Sequence, residues 1–448
     1  MLFIAISKLS SAFKSTLFRT RTLSTNPISS FSYSKSRMTN QIETDSIITV
    51  GSNQKKAKYI SSSEESMVQA GARLRSGYLV SFPTETVYGL GCHAIDPVAV
   101  QRVFDAKERP LSDPLIVHVN EAPDALKLWK ASSSTTTHDT TSNDMEEKAL
   151  RALTETFWPG PLTIVAKADD MVPSIIMANT GFVACRSPSH PVARALIEAS
   201  GIPLAAPSAN KFGHVSPTRA SHVMDDLYME DVWIVDPYLE KERIDDFSAT
   251  QDNVVCDVGV ESTVAKIEMK SDAKGQITIL RHGAISAEEL MKCIRDANLE
   301  AVFDVVEKMQ ATGDDVNHVA PGQTIRHYSP NVLSYMIASS RYQNIENEWS
   351  AREKEIVKTA VVIDFGGRLA SLKDSALAYR DLSVDGNPSV AAAHVFDTLR
   401  WSELVQGAQR VYFPEINVGG KNEAEALALA VKDRLTRAAS GVVIDSLM

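Results

Sequence analysis

Cysteine is scarce in this chain: four in 448 residues, at Cys92, Cys185, Cys256 and Cys293, with no CxxC pair among them. Structural zinc sites need thiol or thiol–imidazole pairs at short spacing, so none is expected, and the four thiols read as buried intracellular ones. Long apolar runs are missing too. Leu2 to Ile6 falls far short of the ~20 residues that cross a bilayer, and no other stretch does better. Positive charge is in deficit, with a net charge of −10. That excludes the broadly basic surface with which proteins grip nucleic acid. There is no GxxxxGK[ST], which excludes the P-loop nucleotidases. Neither a Ser-His-Asp nor a Cys-His arrangement stands out, so no covalent nucleophile is expected.

What is present is an ordinary globular composition, 44% hydrophobic and 23% charged, long enough for roughly two or three domains. The first forty residues differ from the rest. They carry Lys8, Lys14, Arg19, Arg21, Lys35 and Arg37, many hydroxyls, and no acid before Glu43. This is the pattern of an organelle transit peptide, with a disordered tail as the alternative over residues 1–45. Met38 offers a second start that would omit it, so cytoplasmic and organellar (mitochondrial or plastid) forms are both expected.

Further on, apolar periodicity predicts a helix from Glu64 that stops at Gly77, a strand Tyr78–Phe82, and an amphipathic helix carrying Val100, Val103 and Phe104. Between them PTETVYGLG reads as a hydroxyl- and glycine-rich turn. Its Gly89-x-Gly91-x-x-Ala94 matches a dinucleotide fingerprint only formally, because no apolar strand runs straight into the glycines. Strands are predicted at Leu115–Val119, Gly181–Arg186, Pro203–Ala206, Val254–Val258, Ser262–Glu268 and Ile277–Leu280. Helices are predicted at Glu146–Phe157, Pro191–Ala199 and Ser216–Leu227, the last capped by Ser216. Ala131–Asp144 is low in complexity and reads as a surface insertion, and Lys308–Gln323 as a linker. Beyond Pro330, strand and helix alternate. The expected fold is therefore an α/β twisted mixed sheet with flanking helices, then a linker and a small Rossmann-like α/β domain.

Several polar groups fall at predicted strand ends, where α/β sites form. Arg186 and Arg281 each close an apolar strand, and arginine suits bidentate binding of carboxylate or phosphate. Lys107 and Arg109 add two cations after a helix. Thr86, Ser208, Asn210, Ser216 and Ser262 supply hydroxyls and an amide. Together they describe a pocket for a substrate with several negative charges.

These residues lie in PTETVYGLG, the K-x-R of Lys107–Arg109, DPLIVHV, WPGPLT, VACRSPSHP, PSANKFGHVSPT, GVESTVAKI, ILRHGAIS and APGQTIRHYSP. The series, in this order over about Glu64 to Pro330, resembles the YrdC-like threonylcarbamoyl-AMP synthases in their two-domain form. The resemblance implies a catalytic domain over 58–285, a helix and lid over 286–330, and a C-terminal domain over 331–448. It implies synthesis of threonylcarbamoyl-AMP from L-threonine, bicarbonate and ATP, with Mg²⁺ accompanying ATP and no prosthetic group. The product would pass to a tRNA threonylcarbamoyl transferase complex, with neither a membrane nor a stable nucleic acid as partner.

By the same resemblance, Thr86, His118, Arg186, the Ala206 backbone and Ser262 would hold threonine. Lys107, Arg109, Asp113, Phe182, Ser208, Asn210, Ser216, Arg281 and Tyr328 would hold the nucleotide, with Lys107 and Arg109 as catalytic cations and Tyr328, beside His327, as a lid. The chain departs from the family pattern at Asp113, Phe182 and His282, where Asn, Thr and Pro are common. Two rivals share the fold: a carbamoyl-transfer module, which would need zinc-finger cysteines that are missing, and a non-catalytic RNA-binding module, which the acidic charge opposes.

Overall fold

A computed structural model of the chain describes residues 56–130, 140–239, 255–271, 273–307, 318–320, 328–343, 348–417 and 423–448. The expected presequence, Met38, most of the expected linker and His327 lie outside these residues.

Eleven strands form one mixed sheet. Across it they run Lys58–Ile60, Val232–Val235, Leu79–Phe82, Gly89–His93, Leu204–Ala205, Ile116–His118, Phe182–Arg186, Leu162–Lys167, Thr263–Ser271, Lys274–Arg281 and Phe303–Glu307. The central strands are near-continuous apolar runs, as expected where helices cover both faces. Helix Glu64–Arg75 starts on Ser63, whose hydroxyl accepts from Ser66 N, and carries Glu64 and Glu65 in its first turn and Arg73 and Arg75 in its last. Both placements suit the helix dipole. Helix Pro97–Lys107 is capped by Asp96 and buries Val100, Val103 and Phe104. Each such side chain stabilises the fold by about 1.5–3 kcal/mol. The helix stops at Glu108 in the left-handed region, φ 54°, and this turns the chain back toward the sheet at Arg109.

The second sheet has five strands, all parallel, in the order Ala378–Asp381, Ala360–Asp364, Arg410–Pro414, Leu333–Ile337 and Val443–Ile444. Helices Pro388–Leu404 and Glu423–Ala438 pack on one another. Both sheets lie within one compact unit, Asn53–Met448. The helical layer of the second domain comes close to the first. A Cβ on Gly259 would stand 2.3 Å from Ala393 Cα and 2.4 Å from Ala392 O.

Four expectations need correction. The turn in PTETVYGLG is confined to the residues before Gly89, and Gly89–His93 is a strand. It pairs antiparallel with Leu79–Phe82, and a Cβ on Gly91 would sit 2.7 Å from Phe82 Cε1, so glycine there serves close strand approach. Helix Ser216–Leu227 begins only at Ala220, and Ser216 does not cap it. Residues 255–258 are bends rather than a strand. Helix Thr140–Phe157 takes in Thr140–Asp144, so the low-complexity surface insertion ends before Thr140 rather than at Asp144. The strands Lys58–Ile60, Val232–Val235 and Val443–Ile444 have no counterpart in the sequence pattern, being too short to carry a period.

Candidate active site

The cavity forms where several strands of the large sheet end. It is lined by Thr84, Thr86, Val87, Gly89, Arg109, Ile116, His118, Arg186, Ala206, Pro207, Ser208, Glu261, Ser262, Arg281 and Tyr328. Strand pairing sets its first corner. Ile116–His118 and Phe182–Arg186 run parallel, with His118 opposite Arg186. Ala206 N bonds Ile116 O at 2.9 Å, and Gly89 bridges to Ser208. In the turn before Gly89, the Thr84 hydroxyl accepts from Thr86 N and Val87 N, presenting Glu85 and Thr86 to the strand ends.

Arg186 is the best-anchored cation here. Its Nη2 pairs with Glu85 Oε1 at 2.6 Å, Nη1 donates to Thr86 Oγ1 at 2.8 Å, and Nε donates to Gly160 O at 3.2 Å. Burial alone would raise the Glu85 pKa, but the guanidinium outweighs it and holds the carboxyl below its usual value. His118 packs edge-on against Phe82, and its Nδ1 is buried with no hydrogen-bond partner among the described residues. Burial, with Arg186 next to it, lowers its pKa to about 3, so the imidazole stays neutral.

The second corner is built on the hairpin Thr263–Ser271 and Lys274–Arg281. Arg281 donates through Nε to Ser262 O at 3.1 Å and through Nη2 to Ser262 Oγ at 3.0 Å. Thr163 Oγ1 lies 2.7 Å from the same hydroxyl. No carboxylate among the described residues lies within ion-pairing distance of Arg281. Burial lowers its pKa, and the negative groups near it, Glu261 among them, offset this only in part. Arg109 adds a third guanidinium, bonded to Asp113 O and Pro114 O and ion-paired with Asp113 at 2.9 Å. Tyr328, at φ 61°, is buried over the cavity with its ring 5.3 Å from that of Phe396.

Of the residues singled out from the sequence, Thr86, Arg109, His118, Arg186, Ala206, Ser208, Ser262, Arg281 and Tyr328 line this cavity, whereas Lys107, Asp113, Phe182, Asn210 and Ser216 do not. Lys107 is fully buried behind it, and its ammonium donates to the carbonyls of Ser208, at 2.6 Å, and Asn210. Burial, then Arg109, push its pKa well down. Asn210 bonds the carbonyls of Lys211 and His214. Ser216 Oγ donates to Glu261 Oε1 at 2.6 Å. Phe182 carries Lys266 over its ring, 3.8 Å from the centroid. Two carboxylates escaped the sequence reading, Glu85 and Glu261. Both lie inside the quoted motifs, but each meets its arginine only in the fold, Glu85 with Arg186 and Glu261 with Arg434.

A larger cleft, about 890 Å³, lies on the seam between the domains, lined by His214, Arg219, His222, Asp226, Arg400 and Glu403 among others. Its charges are largely satisfied by one another. Asp226 receives His214 and Arg400, and Glu403 receives His214 and Asn331 N. It is therefore a contact zone more than a reaction site.

Fold and cavity define the class: two-sheet α/β proteins in which strand ends bring arginines and hydroxyls to one closed hollow. Comparison with known proteins narrows it. Residues 72–283 match a family model described as "Telomere recombination" (Sua5, YciO and YrdC), and residues 285–440 match "Threonylcarbamoyl-AMP synthase, C-terminal domain". A threonylcarbamoyl-AMP synthase of Pyrococcus abyssi is 36% identical over 302 residues, 66% of this chain and 76% of that protein. One of Bacillus subtilis is 32% identical over 400 residues, 86% and 96% of the two chains. The crystal structure of P. abyssi Sua5 complexed with L-threonine superposes with a TM-score of 0.65 at 28% identity, covering 87% of this chain and 98% of that one. A His/Tyr double-alanine variant of the same protein gives 0.67 with the same identity and coverage. The chain belongs to the threonylcarbamoyl-AMP synthase family in its two-domain form.

Proposed function

We propose that this chain makes threonylcarbamoyl-AMP and pyrophosphate from L-threonine, bicarbonate and ATP. The observation that carries the reading is the pair of buried arginines, Arg186 and Arg281, facing one cavity, one already neutralised and the other not. Threonine's carboxylate sits at Arg186, with Thr86 and the Ala206 backbone beside it. His118, held neutral, accepts a hydrogen bond from the amine or hydroxyl of threonine. The amine nitrogen attacks the carbon of bicarbonate and water is lost, giving a carbamate. A carbamate oxygen then attacks the α-phosphorus of ATP, the bond to the β-phosphate oxygen breaks, and pyrophosphate leaves. Arg281, Arg109 and Ser208 bind phosphate oxygens, and Ser262, which the resemblance gives to threonine, is reassigned to the phosphate side because its hydroxyl is tied to Arg281. Catalysis is positioning and charge neutralisation, with no bond to the protein. Lys107 and Asn210 act from behind, fixing the turn that carries Ser208, and Asp113 orients Arg109.

ATP enters with Mg²⁺ as part of the substrate. The carboxylates at or near the cavity, Glu85, Asp113 and Glu261, are each engaged by arginine, so among the described residues no carboxylate cluster stands ready for the ion. The free space in the closed cavity is about 50 Å³, against ~300–1,000 Å³ for ordinary ligand sites. Tyr328 therefore swings aside to admit the nucleotide and returns to exclude water from the labile mixed anhydride. The product passes to a tRNA-modifying transferase. The N-terminal stretch directs one form to an organelle, and a start at Met38 leaves another in the cytoplasm.

The test is pyrophosphate release by the purified protein with each substrate omitted in turn. Release that needs threonine and bicarbonate together supports the synthase. Turnover without threonine, or tight RNA binding with no turnover, would sink it.

A further inference from the structure

The largest fully buried side chain among the described residues is a charged one. Arg434, on helix Glu423–Ala438, is 0% exposed. Its Nε donates to Glu261 Oε2 at 3.0 Å, and its Nη1 donates to His282 O at 2.9 Å and to Asp433 Oδ2 at 3.0 Å. The guanidinium also stands 5.5 Å from the centroid of the Tyr328 ring. Glu261 and His282 belong to the first domain, and each is the chain neighbour of a cavity residue. Glu261 precedes Ser262, and His282 follows Arg281. Ser262 and Arg281 are bonded to each other twice. One guanidinium from the second domain thus bolts together the two backbone segments that carry this corner, and lies against the residue that covers it. The other Glu261 oxygen is held by Ser216, so the carboxylate cannot turn to follow Arg434 elsewhere.

We propose that Arg434 is a positioning residue of the active site: the second domain completes the Ser262–Arg281 corner through Glu261 and the His282 carbonyl, while the Arg186 corner stands without it. A single rigid donor group spanning a carboxylate and a carbonyl fixes their separation, which two flexible contacts would not do. Misplacing a phosphate-binding arginine by about 1 Å can cost on the order of 100-fold in rate. The inference rests on the synthase reading for its assay and not for its binding measurements.

The experiment uses the full chain carrying Arg434→Gln, Arg434→Lys, Glu261→Gln, and the Arg434→Gln/Glu261→Gln pair. Pyrophosphate release is measured together with the calorimetric affinity for L-threonine. Arg434→Gln is expected to lower kcat about 10- to 100-fold while threonine affinity stays within about twofold, and Glu261→Gln is expected to do the same. The pair should be little worse than the poorer single variant, because both cut one connection. Arg434→Lys keeps the buried charge, but its lone ammonium cannot reproduce the fork, so it should show the same split. Wild-type kcat in Arg434→Gln, an equal loss of threonine affinity, or additive singles would each overturn the proposal. So would failure of both Arg434 variants to fold, since Arg434 would then be a stability element only. If the wild-type chain bound threonine but released no pyrophosphate, the synthase reading would fall; the proposal would then be judged on nucleotide affinity, which the Arg434 variants should weaken selectively.

Discussion

Arg186 and Arg281 are both buried at strand ends of one sheet, yet they are held in opposite ways. Arg186 has a carboxylate, a hydroxyl and a carbonyl around it, all from the first domain. Among the described residues Arg281 is hydrogen-bonded to Ser262 alone, and that segment is in turn tied to the second domain. A guanidinium with a buried counter-ion is already compensated, and its remaining donors orient a ligand. One without a counter-ion leaves a desolvation cost that an incoming phosphate relieves. On the proposed function, the two corners of the cavity divide the work, the Arg186 corner orienting threonine and the Arg281 corner meeting developing charge on phosphate.

The division breaks most sharply at Arg281. Arg281→Ala should lower kcat for pyrophosphate release by about 100- to 1,000-fold, the usual loss when a donor to developing charge is removed. Threonine binding, measured by calorimetry, should change little. A matching loss of threonine affinity would show that the corners are not separate. At the other corner, Arg186→Ala should raise the threonine KM by about 10- to 100-fold, as expected for a charged hydrogen bond worth about 1.5–3 kcal/mol, with a smaller effect on kcat. Glu85→Gln should follow in the same direction more weakly, since Arg186 keeps Thr86 and Gly160. An unchanged threonine KM in Arg186→Ala would remove that residue from the threonine site.

Gly259 sharpens the contrast next. At φ 71° and with the Ala392–Ala393 backbone against it, alanine there must push the second domain away, at about 1–3 kcal/mol. Gly259→Ala should therefore reduce kcat through the Arg281 corner while leaving threonine binding near wild type. Equal damage to both would mean general unfolding, which a melting curve would reveal.

The sequence disclosed these corners unequally, for physical reasons. Arg186 and Arg281 are legible because a cation directly after an apolar strand is unusual and has a defined place in the fold. The helix of Lys107 was legible from its period, but not that the lysine points behind the cavity. Its acceptors, the Ser208 and Asn210 carbonyls, come from a distant part of the chain that only the fold brings behind the helix. Gly89 and Gly91 suggest a turn because glycine usually makes one; here Gly91 admits Phe82 and Gly89 lies close to Ala206. Ser216 resembled a helix cap by its Ser-Pro start, yet its hydroxyl is claimed by Glu261, far away in sequence. Arg434 sat in an ordinary amphipathic helix and gave no signal, because its partners come from another domain.

The smallest expected effect concerns the seam itself. His214 lies between Asp226 and Glu403, with Arg400 also bonded to Asp226. Burial would lower its pKa, but hydrogen bonds to the two carboxylates raise it to about 9 from the ordinary 6.5. A raised histidine stabilises the fold fully below 6.5 and loses that contribution as pH climbs to and through about 9. Asp226 moves the other way: held down to about 2, it contributes above the ordinary 3.8 and fails only in strong acid. Between neutral and mildly alkaline pH, then, the seam weakens through His214. Wild-type Tm should fall by a few degrees over that interval, and His214→Asn should start lower and fall less. Because Glu403 is on the second domain and Asp226 on the first, the loosening should reach the Arg281 corner before the Arg186 corner. Threonine affinity that declined in step with Tm would contradict this order, whereas affinity that held while kcat slipped would place the alkaline weakness at the seam.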